Sequence, residues 1–231
     1  MKKGDLFVIS LGGSRIVPAG SEKADSKFLR EFKKIIDANK NKRFVVVTGG
    51  GSVARKYISA ARDLNLGIRK QSSLGIKSTR LNASFLMKIF GKPANDELPK
   101  NMRQVKSLLK KNQIVFCGGL RYKAKNTSDG TAAGLAGYLG ASFINITNVK
   151  GMYDDNPKTN KNAKFIKKIS WKDFYSRAKK IKYKAGQHFV LDQTAAKVIL
   201  KKKIPTYIVG SLSDVNNIIK GKSYQGSLIC G

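Results

Sequence analysis

Acidic residues are scarce in this sequence of 231 residues, because 14 Asp plus Glu stand against 46 Lys plus Arg, a formal net charge of +32. Such a balance favours anionic partners, namely nucleotides, nucleic acid or acidic membrane surfaces, without choosing among them. Since carboxylates are so few, those near glycine-rich loops are less easily explained as surface decoration. They are Asp129, Asp154, Asp155 and Asp192.

Cysteine and histidine are nearly absent. The cysteines, Cys117 and Cys230, fit neither the spacing of a zinc site nor a disulfide framework, and Cys117 is expected to pack as a small hydrophobic residue. The single histidine, His188, has no partner for a catalytic triad or a metal site. Zinc chemistry and nucleophilic hydrolysis therefore have no support in the sequence.

Long apolar segments are also missing. No run approaches the roughly 18 apolar residues of a membrane-spanning helix. Lys2 and Lys3 lead only into a short run at residues 6–11, so no signal peptide is expected, and we expect a cytoplasmic protein. The P-loop pattern G-x-x-x-x-G-K-[ST] is absent, and no G-x-G-x-x-G follows a predicted strand.

Short apolar runs alternate with amphipathic patterns, which is typical of parallel βαβ units and predicts an α/β fold. The apolar content of 41% is sufficient for a large core. Strands are predicted at 6–11, 43–48, 113–117, 142–146, 206–209 and 227–230. Helices are predicted at 25–39, 52–64, 79–90, 102–111, 128–139 and 193–203. Between 146 and 193 we expect a long polar connection.

Three predicted strands end in paired or tripled glycines: Gly12-Gly13-Ser14, Gly49-Gly50-Gly51 and Gly118-Gly119. Glycine lets backbone N–H groups converge on an anion, and a helix that begins after such a turn adds positive partial charge. Ligands of open parallel sheets bind at the carboxyl ends of the strands. These turns therefore predict a triphosphate and an acceptor meeting at one edge of the sheet.

Two charged residues near these turns suit phosphoryl transfer, which needs positioning, a metal ion and positive charge around the transferring oxygens. Arg55, which follows Gly49-Gly50-Gly51, can reach a phosphate or can be a surface arginine. Asp129, in Thr127-Ser128-Asp129, can orient a basic group or Mg²⁺, and can also cap the helix that begins there.

Five motifs occur in an order that resembles the amino acid kinase superfamily, and most closely its archaeal-type uridylate (UMP) kinases. They are Gly-Gly-Ser at 12–14, Gly-Gly-Gly-x-x-Ala-Arg-Lys-Tyr at 49–57, Thr-Arg-x-Asn-Ala at 79–83, Thr-Ser-Asp at 127–129 and Thr-Asn-Val-x-Gly-x-Tyr at 147–153. Residues 190–197 also resemble that family's closing helix motif. The resemblance implies a three-layer αβα sandwich with a mostly parallel central sheet. It also implies an acceptor lobe at 1–140 and an ATP lobe at 141–231.

The activity implied by the resemblance is ATP- and Mg²⁺-dependent phosphorylation of UMP to UDP by direct in-line transfer. A homo-oligomer is implied as well, usually a hexamer built from dimers that pack on the first lobe. Asp129 and Arg55 would be catalytic. ATP would be bound by Gly12, Gly13, Ser14, Gly50, Arg55, Thr147, Tyr153 and Asn156. UMP would be bound by Gly49, Ser72, Arg80, Gly119, Thr127 and Ser128, in part through the loop at 119–128.

Several positions depart from the family pattern. Ser72 stands where a carboxylate is expected on the acceptor ribose, Lys150 replaces an Asp in Thr-Asn-Val-Asp-Gly, and Asn156 replaces another Asp. The loop at 120–126 is longer than typical and carries Arg121, Lys123 and Lys125. Fewer carboxylates beside polyphosphate reduce repulsion, but the same changes also fit altered substrate choice or weakened activity.

Two alternatives stay open. The first is a kinase of this fold with another small acceptor. Isopentenyl phosphate kinases place a histidine in the acceptor lobe, whereas His188 lies late in the chain, and acetylglutamate kinases carry a lysine where Leu11 stands. The second is a catalytically weak relative that binds nucleotide or RNA through residues 158–184, where eleven Lys or Arg accompany one acid, Asp173. A solvated basic surface is the simpler explanation of that charge run.

Overall fold

A seven-stranded sheet organises the chain, in the order β3-β2-β1-β4-β8-β9-β7. The computed structural model describes residues 4–121, 127–157, 159–180 and 190–231. The strands are β1 (Leu6–Leu11), β2 (Arg43–Thr48), β3 (Ile114–Cys117), β4 (Ser142–Ile146), β5 (Met152–Tyr153), β6 (Phe165–Ile166), β7 (Lys168–Ile169), β8 (Thr206–Val209) and β9 (Ser227–Ile229). The helices are α1 (Gly13–Ile16), α2 (Ser26–Asp37), α3 (Gly51–Asp63), α4 (Ile68–Phe90), α5 (Met102–Leu108), α6 (Ser128–Leu139), α7 (Trp171–Lys180), α8 (Gln193–Lys202) and α9 (Leu212–Ile219).

The sheet is parallel except where β8 meets β9, while β5 and β6 form a separate antiparallel pair. From β1 the chain builds β2 and β3 on one side and then returns to β4 on the other side of β1. The order of the strands therefore reverses between β1 and β4. Such a switch point leaves a crevice at the carboxyl ends of the strands.

Both faces of the sheet are buried beneath helices, as apolar strands of a parallel sheet require. Phe7 and Ile9 of β1 belong to the apolar cluster that includes residues of α2, α4 and α9. Leu6 and Val8, which alternate with them, belong to the cluster with residues of α5, α6 and α8. The three-layer αβα architecture is therefore confirmed. Among the described residues, no helix combines the length and the apolar character needed to cross a membrane.

Two local predictions were wrong. Helix α4 begins at Ile68, well before the predicted start at residue 79. Its amino-terminal half has little apolar periodicity but packs along α3, where a Cβ on Gly75 would lie 3.2 Å from Ile58 Cδ1. The supposed polar connection contains β5, β6, β7 and α7, and α9 was missed as well. These short elements are defined by partners that are distant in sequence: β7, for example, pairs with β9.

Candidate active site

The three glycine-rich turns follow β1, β2 and β3, which are parallel neighbours in the sheet. Their carboxyl ends open at the same edge, as the sequence predicted. The loops after β4 and β8 lie at this edge on the other side of β1. The candidate site is therefore the crevice of the switch point, between these two groups of loops.

The first two turns are packed so closely that no side chain fits between them. A Cβ on Gly13 would lie 2.4 Å from the Gly51 nitrogen and 2.6 Å from the Gly49 oxygen. The Gly49 nitrogen donates to the Leu11 oxygen at 2.9 Å. Gly51 has a φ of +64°, which glycine adopts without strain. Helix α3 begins at Gly51, so its amino end brings positive partial charge to these turns.

The third turn packs against α4 rather than against other glycines. A Cβ on Gly118 would lie 2.6 Å from Thr79 Oγ1, and the Gly119 nitrogen donates to the same oxygen at 2.8 Å. Thr48, at the end of β2, donates to the Thr79 carbonyl oxygen at 2.7 Å. Thr79 thereby connects the end of β2 with the turn after β3.

Two further side chains of α4 hold the turns in place. Arg80 donates from Nε to the Gly119 oxygen at 3.0 Å and from Nη2 to the Leu120 oxygen at 2.6 Å. Asn82 donates to the Gly49 oxygen at 2.7 Å. The predicted UMP residues Gly49, Arg80 and Gly119 are thus joined through one helix.

Asp129 lies in the first turn of α6 and accepts a hydrogen bond from Ser10 Oγ at 2.7 Å. Ser10 is buried in β1, one residue before the strand ends. Burial raises the pKa of Asp129 to about 6, while the bond from Ser10 opposes the rise and the negative charge of Asp192 adds to it. At neutral pH the Asp129 carboxylate is therefore mainly ionised.

The cap of α6 is Thr127 and not Asp129. Thr127 Oγ1 accepts from the Gly130 nitrogen at 3.0 Å, so capping does not explain the Asp129 carboxylate. Thr127 also donates to Asp192. The other oxygen of Asp192 caps α8 by accepting from two backbone nitrogens at 2.7 and 2.9 Å. Asp192, a scarce acid without a predicted role, thus lies beside Asp129.

Arg55 reaches the first turn from α3. Its Nη2 lies 3.5 Å from Ser14 Oγ, at the limit of a hydrogen bond, and its side chain is exposed. Gly12, in the same turn, has no atom within 4 Å of the position that a Cβ would take. This turn therefore has open space on one side and a weakly held guanidinium above it, as an anion site requires.

The residues predicted to bind the ATP base and ribose lie on the other side of the crevice. The carbonyl oxygen of Thr147 accepts a hydrogen bond from Arg15 Nη2 at 2.9 Å, which ties this loop to the first turn. Tyr153 lies in β5 with its ring edge-on to Phe165 at 5.4 Å. Asn156 lies just after the strand, and its carbonyl accepts from the Asn160 nitrogen at 2.9 Å. These contacts of Tyr153 and Asn156 are local, and neither joins them to the glycine turns.

The remaining predicted residues are less informative. Ser72 is half-buried in the second turn of α4, Ser128 begins α6, and Lys150 is exposed after β4. Part of the predicted UMP loop lies outside the described residues, namely 122–126. His188 and the ends of the basic segment, Lys158 and 181–184, lie outside them too.

The sequence missed several polar residues of the site. Ser10 and Arg15 flank the first glycine turn, and Asn82 lies in the quoted Thr-Arg-x-Asn-Ala motif without a predicted role. A signal existed for Ser10, because it is the only polar residue of the apolar strand Leu6–Leu11. Nothing in the spacing of Arg15 and Asn82 indicates which carbonyls they contact, since both partners lie far away along the chain.

The described residues contain neither a reactive thiol at Cys117 nor a cluster of metal-binding side chains. Burial raises the pKa of the Cys117 thiol to about 12, so this cysteine stays protonated and is no nucleophile. Within the part of the chain that the structure describes, no group of three or more His, Cys, Asp or Glu could hold a metal ion.

Known proteins resemble this chain along nearly its whole length. The sequence profile of the amino acid kinase family matches residues 5–210. The uridylate kinase of Thermococcus kodakarensis is 35% identical over 227 residues, which cover 96% of this chain and 98% of that protein. The uridylate kinase of Archaeoglobus fulgidus is 37% identical over 220 residues, which cover 94% of this chain and 96% of that protein.

Solved structures share the fold. The crystal structure of uridylate kinase from Archaeoglobus fulgidus superimposes with a TM-score of 0.84 at 33% identity, covering 97% of this chain and 99% of that chain. UMP kinase from Bacillus anthracis gives a TM-score of 0.81 at 20% identity, covering 98% of this chain and 96% of that one, which supports the fold alone. The profile match, the relatives and the order of the motifs agree, and the chain belongs to the amino acid kinase family.

Proposed function

We propose that this protein is a nucleoside monophosphate kinase that uses ATP to convert UMP to UDP. The observation that carries the proposal is the convergence of the turns after β1 and β2 beside Asp129, at the switch point of the sheet. Two anionic reactants can meet there between backbone amides and helix amino ends. Archaeal relatives between 31% and 37% identical carry the name uridylate kinase.

The reaction proposed is a direct in-line transfer. An oxygen of the UMP phosphate attacks the γ-phosphorus of ATP, the bond from that phosphorus to the β–γ bridging oxygen breaks, and ADP leaves with the bonding electrons. Backbone amides of Gly12, Gly13, Ser14 and Gly50 would bind the transferring phosphates. Arg55 would add positive charge as the equatorial oxygens become more negative, and no covalent enzyme intermediate is needed.

Asp129 would organise the centre of the site. Its carboxylate is anchored by Ser10 in β1, while the capping of α6 falls to Thr127, so its charge is available for a ligand-bound cation or a basic group. A partly buried carboxylate beside a second one is costly to keep ionised.

Mg²⁺ would enter as the counter-ion of ATP. Magnesium keeps much of its water and is commonly bound through substrate phosphates with few protein ligands. When bound, the ion would neutralise charge on the β- and γ-phosphate oxygens.

UMP would occupy the lobe that precedes Gly140, and ATP the lobe that follows it. The proposed UMP residues are those joined by α4 (Gly49, Arg80 and Gly119), together with Ser72, Thr127 and Ser128. Arg80 is held by two carbonyl oxygens, which fixes its guanidinium at the third turn. The proposed nucleoside residues of the ATP lobe are Thr147, Tyr153 and Asn156. A cytoplasmic location completes the proposal.

A homo-oligomer, built from dimers that pack on the first lobe, is also proposed. Helix α4 exposes two large apolar side chains one turn apart, Leu81 at 65% and Phe85 at 41% of their surface. Ile68, at the start of the same helix, is 74% exposed, and Leu64, just before it, is 73% exposed. Neighbouring apolar side chains of this size are typical of a surface that another protein covers.

An acceptor screen tests the function. ADP release would be followed in a coupled assay with UMP, CMP or isopentenyl phosphate as the acceptor, each with ATP and Mg²⁺. We expect turnover with UMP and at least tenfold lower kcat/KM with the other two. Turnover with another acceptor but not with UMP would overturn the proposed substrate. Strongly salt-dependent RNA binding without any turnover would instead support a catalytically weak, RNA-binding relative.

A further inference from the structure

Arg15, directly behind the first glycine turn, joins three neighbouring loops of the site. Its Nη2 donates to the carbonyl oxygen of Thr147, after β4, at 2.9 Å and to that of Gly210, after β8, at 2.5 Å. The guanidinium carbon lies 5.5 Å from the centre of the Phe28 ring, so a cation–π contact supports it from α2. One side chain therefore connects the carboxyl ends of β1, β4 and β8.

The two loops that Arg15 contacts are already close to each other. A Cβ on Gly210 would lie 2.6 Å from the Val149 oxygen, so only glycine fits where the loop after β8 approaches the loop after β4. The Thr147 nitrogen donates to the Val209 oxygen at 2.9 Å, which extends the strand pairing into the loops. These contacts do not determine the distance between this pair of loops and the turn after β1.

The guanidinium of Arg15 is well suited to hold the turn after β1 at a defined distance from these two loops. A guanidinium is planar and always charged, so the two N–H bonds of its Nη2 are held in one plane and contact the two carbonyl oxygens in a defined direction. Carbonyl oxygens at strand ends are acceptors without charge, so the positive charge of Arg15 is not neutralised by a carboxylate in its described contacts. It therefore adds to the positive potential beside Gly12, Gly13 and Ser14.

One feature of Arg15 is not explained by packing alone, namely an unpaired buried nitrogen. Its Nε is buried, and among the described residues it has no hydrogen-bond partner. A buried donor left unpaired is destabilising, because it has lost its hydrogen bonds to water. A side chain chosen only to fill the space over Phe28 would avoid this cost.

We infer that Arg15 is a positioning residue for ATP, which sets the distance between the phosphate-binding turn after β1 and the nucleoside-binding loops after β4 and β8. The inference rests on the proposed placement of ATP in this lobe. The proposed UMP residues are joined through α4 on the other side of β1, and Arg15 makes none of the hydrogen bonds that join them. Loss of the hydrogen bonds from Arg15 should therefore weaken the binding of ATP and not that of UMP.

The test compares Arg15→Met, which keeps bulk over Phe28, and Arg15→Lys, which keeps the charge, with the matched control Arg30→Met on the exposed face of α2. Steady-state KM for ATP and for UMP, kcat, and the Kd of a non-hydrolysable ATP analogue would be measured for each. For Arg15→Met we expect a rise of at least tenfold in the KM for ATP and in the Kd of the analogue, with less than a twofold change in the KM for UMP. For Arg15→Lys we expect a smaller rise of the same kind, about threefold, and for Arg30→Met no change.

Equal changes in both KM values, or a lower melting temperature without a change in the Kd of the analogue, would show a merely structural role and overturn the inference. If Arg15→Met fails to unfold cooperatively, Arg15→Lys decides by the same criteria. Failure of the proposed function is a separate result, namely absence of UMP turnover in the unchanged protein. In that case the Kd of the analogue still tests Arg15.

Discussion

A carboxylate that is costly to ionise lies at the centre of the proposed site. Asp129 is partly buried, has a second acid nearby, and owes part of its ionisation to a single hydroxyl, that of Ser10. Perturbed acids of this kind concentrate at functional sites, although structural networks produce them as well. Two measurements on one isosteric substitution separate these possibilities.

The first concerns turnover. We expect Asp129→Asn to lower kcat/KM at least tenfold, about 1.4 kcal/mol in the barrier, because the negative charge is lost while the shape is kept. In the unchanged protein, kcat/KM should fall as the pH drops through about 6, where Asp129 is protonated. The fall should be shallower in the variant, which keeps only the titration of the UMP phosphate, whose second pKa is also about 6. The matched control is Asp173→Asn, since Asp173 also lies in a first helical turn and accepts from a serine hydroxyl at 2.7 Å. Unchanged kcat/KM in Asp129→Asn would remove this residue from the mechanism.

The second concerns stability without nucleotide or metal. The pKa of Asp129 is raised from 3.8 to about 6 by folding, so the native state binds the proton more tightly than the unfolded chain does. The contribution of Asp129 to the free energy of unfolding should therefore increase as the pH falls from about 6 toward 4. Above pH 6 the ionised carboxylate should destabilise the native state by its full amount. Asp129→Asn should then be more stable than the unchanged protein at pH 8 by roughly 1–3 kcal/mol, with the difference shrinking as the pH falls through 6. Denaturant titrations at both pH values would show it, and a destabilised variant at pH 8 would contradict it.

At the scale of elements, backbone turns and not catalytic side chains define the site. The turns after β1 and β2 pack directly on each other, and α4 joins the second turn to the third. Arg15 extends this arrangement to the loops after β4 and β8. Each contact links segments that are far apart in the chain, so the geometry of the phosphate site depends on the packing of whole elements.

Gly13→Ala tests this dependence. The added methyl group would overlap backbone atoms of the second turn, which are not free to move as a side chain would be. We expect a loss of about 1–3 kcal/mol or more, and therefore a melting temperature lower by roughly 3–10 °C. The control is Gly67→Ala, because Gly67 has an ordinary backbone conformation and no atom within 4 Å of its added Cβ. Equal melting temperatures for the two variants would show that the turns are not in the close contact described here.

At the scale of the whole molecule, charge and apolar surface act in opposite directions on self-association. A formal net charge of +32 opposes the approach of a second copy, and only two salt bridges are found among the described residues. The exposed residues of the basic segment include Lys164, Lys167, Lys168 and Lys172, beside the half-buried Trp171. RNA binding by this surface stays a prediction, as does a purely solvating role.

Phe85→Glu tests the proposed dimer. If α4 packs against α4 of a second copy, the dimer would have to bury the carboxylate of Glu at position 85 without a partner, which is unfavourable. The molar mass from light scattering should therefore fall to that of the monomer. Higher salt should strengthen association of the unchanged protein by screening its charge. Tyr138→Glu is the control, because Tyr138 is 45% exposed on α6, in the other helical layer. A monomeric unchanged protein, or an unaltered mass for Phe85→Glu, would contradict the proposal.

The prediction from sequence succeeded best where local pattern and tertiary role coincide. The runs at 6–11 and 142–146 are fully predicted because strands buried on both faces are mainly apolar. The amino-terminal half of α4 was not predicted, because its helical state depends on α3, and α7 was missed among polar residues. Helix α9 was missed although Leu212, Val215 and Ile219 follow a helical spacing. In the site, Asp129 and the glycine turns were identified from residue type and spacing. Ser10 was overlooked although its polarity in an apolar strand was visible.

By itself, the sequence determined that the sheet is mainly parallel, that three strands end in glycine turns, and that one scarce carboxylate follows them, since each of these is a local property of residue type and order. Only the tertiary structure decided which turn touches which, that Thr127 rather than Asp129 caps α6, and that Arg15 bridges two loops more than 130 residues away along the chain. Hydrogen bonds and steric exclusion act over a few ångströms, so their partners are chosen by the assembled sheet and helices and leave no mark in the spacing of the residues.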